Sequence, residues 1–78
     1  MSSLNPLHKI DKQIKEIITT HNNKVNSKEL DKYVLKLLKE VNLDNLMNRP
    51  NIYSYELSGG QRQRVMIAMS IANNPDLL

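Results

Sequence analysis

The 78-residue chain predicts an all-α fold, a small bundle of three to four helices. Three observations point there. Apolar residues recur at helical spacing in two stretches and fill a third almost completely. Asn26 and Ser58 each stand three positions ahead of a Glu or Gln, the spacing of a helix capping box. Asn and Pro clusters punctuate the chain between these stretches.

The elements follow in order. Met1 to Pro6 reads as a loop, because Pro6 disfavours helix at Asn5. Ile10, Ile14, Ile17 and Ile18 then share one helical face, with Lys12, Lys15 and Glu16 on the wet side. His21-Asn22-Asn23-Lys24 ends this helix. Asn26 and Glu29 open the next, with Asn in place of the usual Ser or Thr. Its stripe is Leu30, Val34, Leu37, Leu38 and Val41. It should stop near Asn42, a residue type that tolerates a left-handed cap. Leu43 to Asn48 has room for one short helical turn before Arg49-Pro50-Asn51 breaks the chain. Ser58 and Gln61 form a second capping box, and a third helix should run from about Gly59 to Ala72. Asn73-Asn74-Pro75 terminates it. Asp76-Leu77-Leu78 opens a new apolar element.

Composition narrows the class. Hydrophobic residues make up 40% and charged residues 24%, ordinary for a globular segment. Without Phe or Trp, the core must be mainly aliphatic. The absence of cysteine excludes disulfides and thiolate metal sites. Residues 1–40 carry eight Lys against five acids, whereas 41–78 carry three Arg against three acids. No apolar run approaches the roughly 18 residues that span a bilayer. Pro6, His8 and Lys9 interrupt any signal-peptide core, so a cytoplasmic location is expected.

Two features read as cut edges. Leu77-Leu78 has no continuation, and Val65 to Ala72 is apolar nearly all round, with Ser70 the exception. Such a helix is normally buried on several sides. A piece of a larger protein is expected; a small bundle that dimerises is the alternative.

The run Glu56-Leu57-Ser58-Gly59-Gly60-Gln61-Arg62-Gln63-Arg64-Val65 carries the chemistry. Each glycine costs a helix roughly 1 kcal/mol relative to alanine. Arg62 and Arg64 stand at the helix end that disfavours cations, by about 0.3–1 kcal/mol each. A phosphate docked on bare N–H groups at a helix N-terminus would resolve both conflicts. The competing reading is a capped helix start after a tight turn, its arginines paired with surface acids such as Glu56.

These residues, and the QRQRVMIAMSIANNPDLL that follows the glycines, resemble the LSGGQ signature helix of ABC-transporter ATPases and the lead-in to their Walker B strand. Ser3-Leu4-Asn5-Pro6 is similar to the stretch after the Q-loop in the oligopeptide, dipeptide and nickel importer branch. Tyr53 falls where that branch begins a Tyr-Pro-His lead-in, although Ser54 and Tyr55 replace the Pro and His. Asn42 replaces a common Gly, and Ser70 a common Ala. Residues 20–50 match in helical pattern more than in identity.

The resemblance implies the helical subdomain of an α/β P-loop ATPase. Residues 1–8 would follow the Q-loop, 9–57 form the helical subdomain, 58–74 hold the signature motif and its helix, and 75–78 start Walker B. Ser58, Gly59, Gly60 and Gln61 would contact the γ-phosphate of ATP held by a second ATPase subunit in a head-to-tail dimer. The subdomain would also meet membrane-spanning subunits at the inner face of the membrane and couple hydrolysis to import, of peptides in this branch. Chromosome-maintenance ATPases share the core motif, but a long coiled coil separates it from their Q-loop.

The sequence holds no GxxxxGK(S/T) loop. The Q-loop glutamine is expected upstream of Met1, and the Walker B carboxylates and switch histidine beyond Leu78. ATP and Mg2+ therefore belong to the full-length parent, and the 78 residues alone should bind no cofactor and hydrolyse no ATP. His8 and His21 read as solvated residues, with no metal site. A stand-alone interaction bundle and a nucleic-acid-binding module are the alternatives. The second conflicts with an apolar third helix, which lacks polar side chains for base edges, so no nucleic-acid partner is expected.

Overall fold

In the computed structural model, which describes residues 4–74, three α-helices are joined by two 3-10 turns. Helix α1 spans Ile10–His21, α2 Ser27–Glu40 and α3 Gly59–Ala72. The 3-10 turns cover Asp44–Leu46 and Ser54–Glu56. The all-α expectation holds across the described residues. The expected start of a Walker B strand at 75–78 lies outside them.

Each helix forms for a local reason and stays for a tertiary one. Ile10, Ile14 and Ile18 of α1 are fully buried, and Val34, Leu37 and Leu38 of α2 nearly so. From α3 come Val65, Ala68, Met69 and Ala72. The three stripes meet in one aliphatic core, closed by Val41, Leu43, Leu46, Ile52 and Leu57 from the connecting segments. The stripe on α1 differs from its sequence pattern. Ile17 is only half-buried, and Gln13 is buried in its place at 6% exposure. Hydrophobic periodicity does not reveal such a polar core residue.

The ends of α2 are set by two asparagines. The Asn26 side chain accepts from the Glu29 amide at 2.9 Å. The box is only half closed, because Glu29 Oε1 meets the Asn26 side-chain amide at 3.2 Å rather than its backbone. At the other end Asn42 has φ 62°, the left-handed conformation. The Leu43 amide donates to the Leu38 carbonyl at 2.8 Å, and the Asn42 amide to the Lys39 carbonyl at 3.1 Å. That bond pair is a Schellman cap. Buried Leu43 and Leu38 supply its apolar component. The cap turns the chain into the first 3-10 turn.

Asn42 therefore does the work that a glycine would do with less strain. A β-branched residue in the left-handed region costs about 1–2 kcal/mol. Asn42→Gly should match or exceed the stability of the native chain, and Asn42→Val should lower it by about that amount. Urea unfolding followed by circular dichroism measures both. Equal midpoints for the two variants would contradict the cap.

Candidate functional site

The N-terminus of α3 is assembled from three separate parts of the chain. The segment before it, 53–57, lies against the loop before α1. Lys9 and Tyr53 form an isolated antiparallel bridge, and the Ile10 amide donates to the Ile52 carbonyl at 2.9 Å. The Ser54 hydroxyl, 1% exposed, donates to the Asn5 carbonyl at 3.0 Å. Gln13 grips the same residue from α1. Its Nε2 donates to the Asn5 carbonyl at 2.9 Å and the His8 carbonyl at 3.1 Å, and its Oε1 accepts from the Asn5 amide at 3.0 Å. Among the described residues, no buried side-chain N or O lacks a partner.

The second 3-10 turn then delivers Ser58. The Glu56 carboxylate accepts from the Tyr53 amide at 3.1 Å, and the Leu57 amide donates to the Ser54 carbonyl at 3.1 Å. Buried Leu57 anchors the turn in the core. The Tyr53 and Tyr55 rings stack at 5.5 Å, with the Lys9 ammonium 6.0 Å from the Tyr53 ring.

The capping box at Ser58 is complete. Ser58 Oγ accepts from the Gln61 amide at 3.2 Å, and Gln61 Oε1 accepts from the Ser58 amide at 3.0 Å. Both bonds use acceptors. They leave the Ser58 O–H and the Gln61 side-chain N–H groups as donors. The Gly59 and Gly60 amides have no acceptor among the described residues. Four consecutive residues thus offer donors from an exposed helix start, where the macrodipole adds about half a positive charge.

The glycines have no internal explanation. A Cβ placed on Gly59 or Gly60 would meet nothing within 4 Å, and neither has positive φ. The arginines do not pair with Glu56. Glu56 lies 3.9 Å from Arg49, and Arg62 and Arg64 form no ion pair with a described residue. The capped-start reading thus loses its proposed pairing, while its cap is present. All four predicted site residues, Ser58, Gly59, Gly60 and Gln61, fall together on the first turn of α3.

Of the two histidines, His21 makes a side-chain contact between helices. His21 Nε2 lies 2.8 Å from Asn73 Oδ1, joining the ends of α1 and α3. His8 is half-buried beside Gln13 in an open depression also lined by Asn5, Glu16, Ile17, Thr20 and Met69. Among the described residues, no three His, Asp or Glu side chains gather to hold a metal, and no helix is long and apolar enough to cross a membrane.

A sequence model of the ABC transporter family matches residues 2–78, and the chain belongs to that family. The peptidoglycan transport ATP-binding protein YejF of Agrobacterium fabrum is 50% identical over 78 residues, all of this chain and 14% of that protein. The oligopeptide transport ATP-binding protein OppD of Bacillus subtilis is 44% identical over the same length, 22% of its own chain. The dipeptide transport ATP-binding protein DppD of Haemophilus influenzae is also 44% identical, over 23% of its chain. The chain thus spans less than a quarter of each of these relatives. No solved structure matches it.

The open space over the glycines separates stability from function. Gly59→Ala and Gly60→Ala should each raise stability by up to about 1 kcal/mol, since neither methyl meets an obstacle. Ser58→Ala should lower it by about 1 kcal/mol through loss of the cap. Chemical denaturation of the three variants provides the measurement. A destabilised Gly60→Ala would mean that the chain itself requires the glycine.

Proposed function

We propose that this chain is the helical subdomain and signature region of the ATP-binding subunit of an ABC importer. Ser58, Gly59, Gly60 and Gln61 bind the γ-phosphate of an ATP held by a second ATPase subunit. The donor set supports this reading. Four adjacent residues offer donors at an exposed helix start, and the two glycine positions have no steric reason among the described residues. A fully ionised phosphate accepts such bonds and offers none in return. Arg62 and Arg64 would deepen the positive potential that draws it in.

In this reading residues 1–8 follow the Q-loop, 9–57 form the helical subdomain, 58–74 carry the signature motif and its helix, and 75–78 start the Walker B strand. The P-loop, Mg2+ and catalytic carboxylates belong to other parts of the parent protein. The parent would sit at the cytoplasmic face of the membrane against transporter subunits. Peptides are the proposed cargo, in line with the names of the oligopeptide and dipeptide relatives. The chain's own part is to position donors, with no covalent step of its own.

Gly60→Asp in the full-length parent tests the reading. The added carboxylate occupies the open space and repels phosphate. ATP hydrolysis should fall by at least about tenfold, while equilibrium binding of labelled ATP at the P-loop stays within about twofold. Wild-type turnover in this variant would refute the phosphate role.

A further inference from the structure

Helix α2 carries its charge in one row. Lys28, Lys32, Lys36 and Lys39 are all exposed. At 3.6 residues per turn they fall within an arc of about 80° and extend about 16 Å along the axis. The row lies opposite the buried stripe of Val34, Leu37 and Leu38, so no other element covers it. None of the four ammonium groups forms an ion pair with a described residue. The acids of α2 lie to either side of the row. Glu29 bonds to Asn26, Asp31 pairs with Lys15 at 2.6 Å, and Glu40 flanks the row beyond Lys36.

Within the row the like charges repel one another. Lys28 with Lys32 and Lys32 with Lys36 are like-charge pairs one turn apart, and Lys36 with Lys39 is a third at the shorter spacing. An anionic surface from outside would turn that repulsion into attraction. The chemistry of the row selects the kind of surface. Its four positions hold no Arg for bidentate pairing, and the bordering Tyr33 and Leu35 are both half-buried, so the row presents no exposed ring for base stacking and no exposed apolar anchor for a protein interface. Lysines are point charges on flexible stems, suited to a diffuse sheet of phosphate.

We infer that the outer face of α2 is a docking surface for the anionic headgroups of a lipid bilayer. The inference deepens the membrane-proximal reading above, which places the parent within reach of such a leaflet. The row would set the tilt of the subdomain through headgroup attraction, without insertion of apolar side chains.

The 78-residue chain tests this by co-sedimentation with vesicles. Vesicles of equimolar phosphatidylcholine and phosphatidylglycerol are compared with phosphatidylcholine alone. The chain should bind the anionic vesicles, lose that binding as salt rises, and leave the neutral ones unbound. Each lysine near an anionic leaflet is worth about fivefold in partitioning. Lys32→Gln, Lys36→Gln and Lys39→Gln together should therefore weaken binding by more than about tenfold. A control with the same net charge, Lys9→Gln, Lys12→Gln and Lys24→Gln, should change it less than about threefold. All six side chains are exposed, and circular dichroism verifies that both variants keep the helical fold.

Equal losses in the two variants would overturn the inference, since net charge alone would then explain binding. So would equal binding to neutral vesicles, or tighter binding to duplex DNA at the same salt. The vesicles contain neither ATP nor transporter subunits. The Gly60→Asp result can fail while vesicle binding stands, and the converse also holds.

Discussion

The backbone of Asn5 is the point on which the geometry of the α3 N-terminus depends. Gln13 from α1 and Ser54 from the pre-α3 turn both donate to its carbonyl. These two are the buried polar side chains among the described residues. A hydrogen bond contributes about 0.5–1.5 kcal/mol net, and a buried partner left unpaired costs about 1–3 kcal/mol. The pairing thus favours one placement of the 4–8 loop on α1 and of the 53–57 turn on that loop. Ser58 begins four residues after Ser54. Its position is inherited from a hydrogen bond to a residue far away in sequence.

The apolar core supplies most of the stability but little of that precision. Ile, Leu and Val side chains attract without direction and tolerate small slides of one helix on another. The polar contacts around Asn5 do not tolerate them, because hydrogen bonds weaken steeply with misalignment. The division of labour is physical. The core makes the three helices associate, and Gln13 and Ser54 fix their register where donors must be aimed.

The helices were legible because each has a periodic stripe and local punctuation. The cap residues Asn26 and Ser58, and the left-handed Asn42, act within a few residues of themselves, so the sequence displays them. The third helix runs from Gly59 to Ala72, as its capping box and Asn-Pro stop indicate. The contacts around Asn5 were not legible. Gln13 borders the apolar stripe of α1 but is polar, so periodicity passes over it, and Ser54 looks like a departure from a Pro. Nothing periodic links positions 5, 13 and 54, and only the folded chain brings them together. The same applies to His21, whose partner Asn73 lies 52 residues away. Glu56 misled for a related reason. Proximity in sequence to Arg62 suggested a pair, but the 3-10 turn directs its carboxylate toward Tyr53 and Arg49.

Helix α3 shows how function is written against stability. Its first turn combines two residues of poor helix propensity with cations at the wrong pole of the dipole. Its far side keeps Ile67 half-exposed, at 50%. Helices α1 and α2 have no such conflicts on their buried faces. Local conflict at both the donor-rich end and the uncovered flank of α3 fits surfaces completed by other parts of the parent protein. A helix optimised in isolation would carry alanines where Gly59 and Gly60 stand and a polar residue in place of Ile67. Each of those changes would favour the free bundle. The alanines would add methyl groups over the bare amides, and the polar residue would remove an apolar contact from any neighbour that covers α3. On the proposed phosphate role, the features that weaken α3 in isolation are the ones that binding would use.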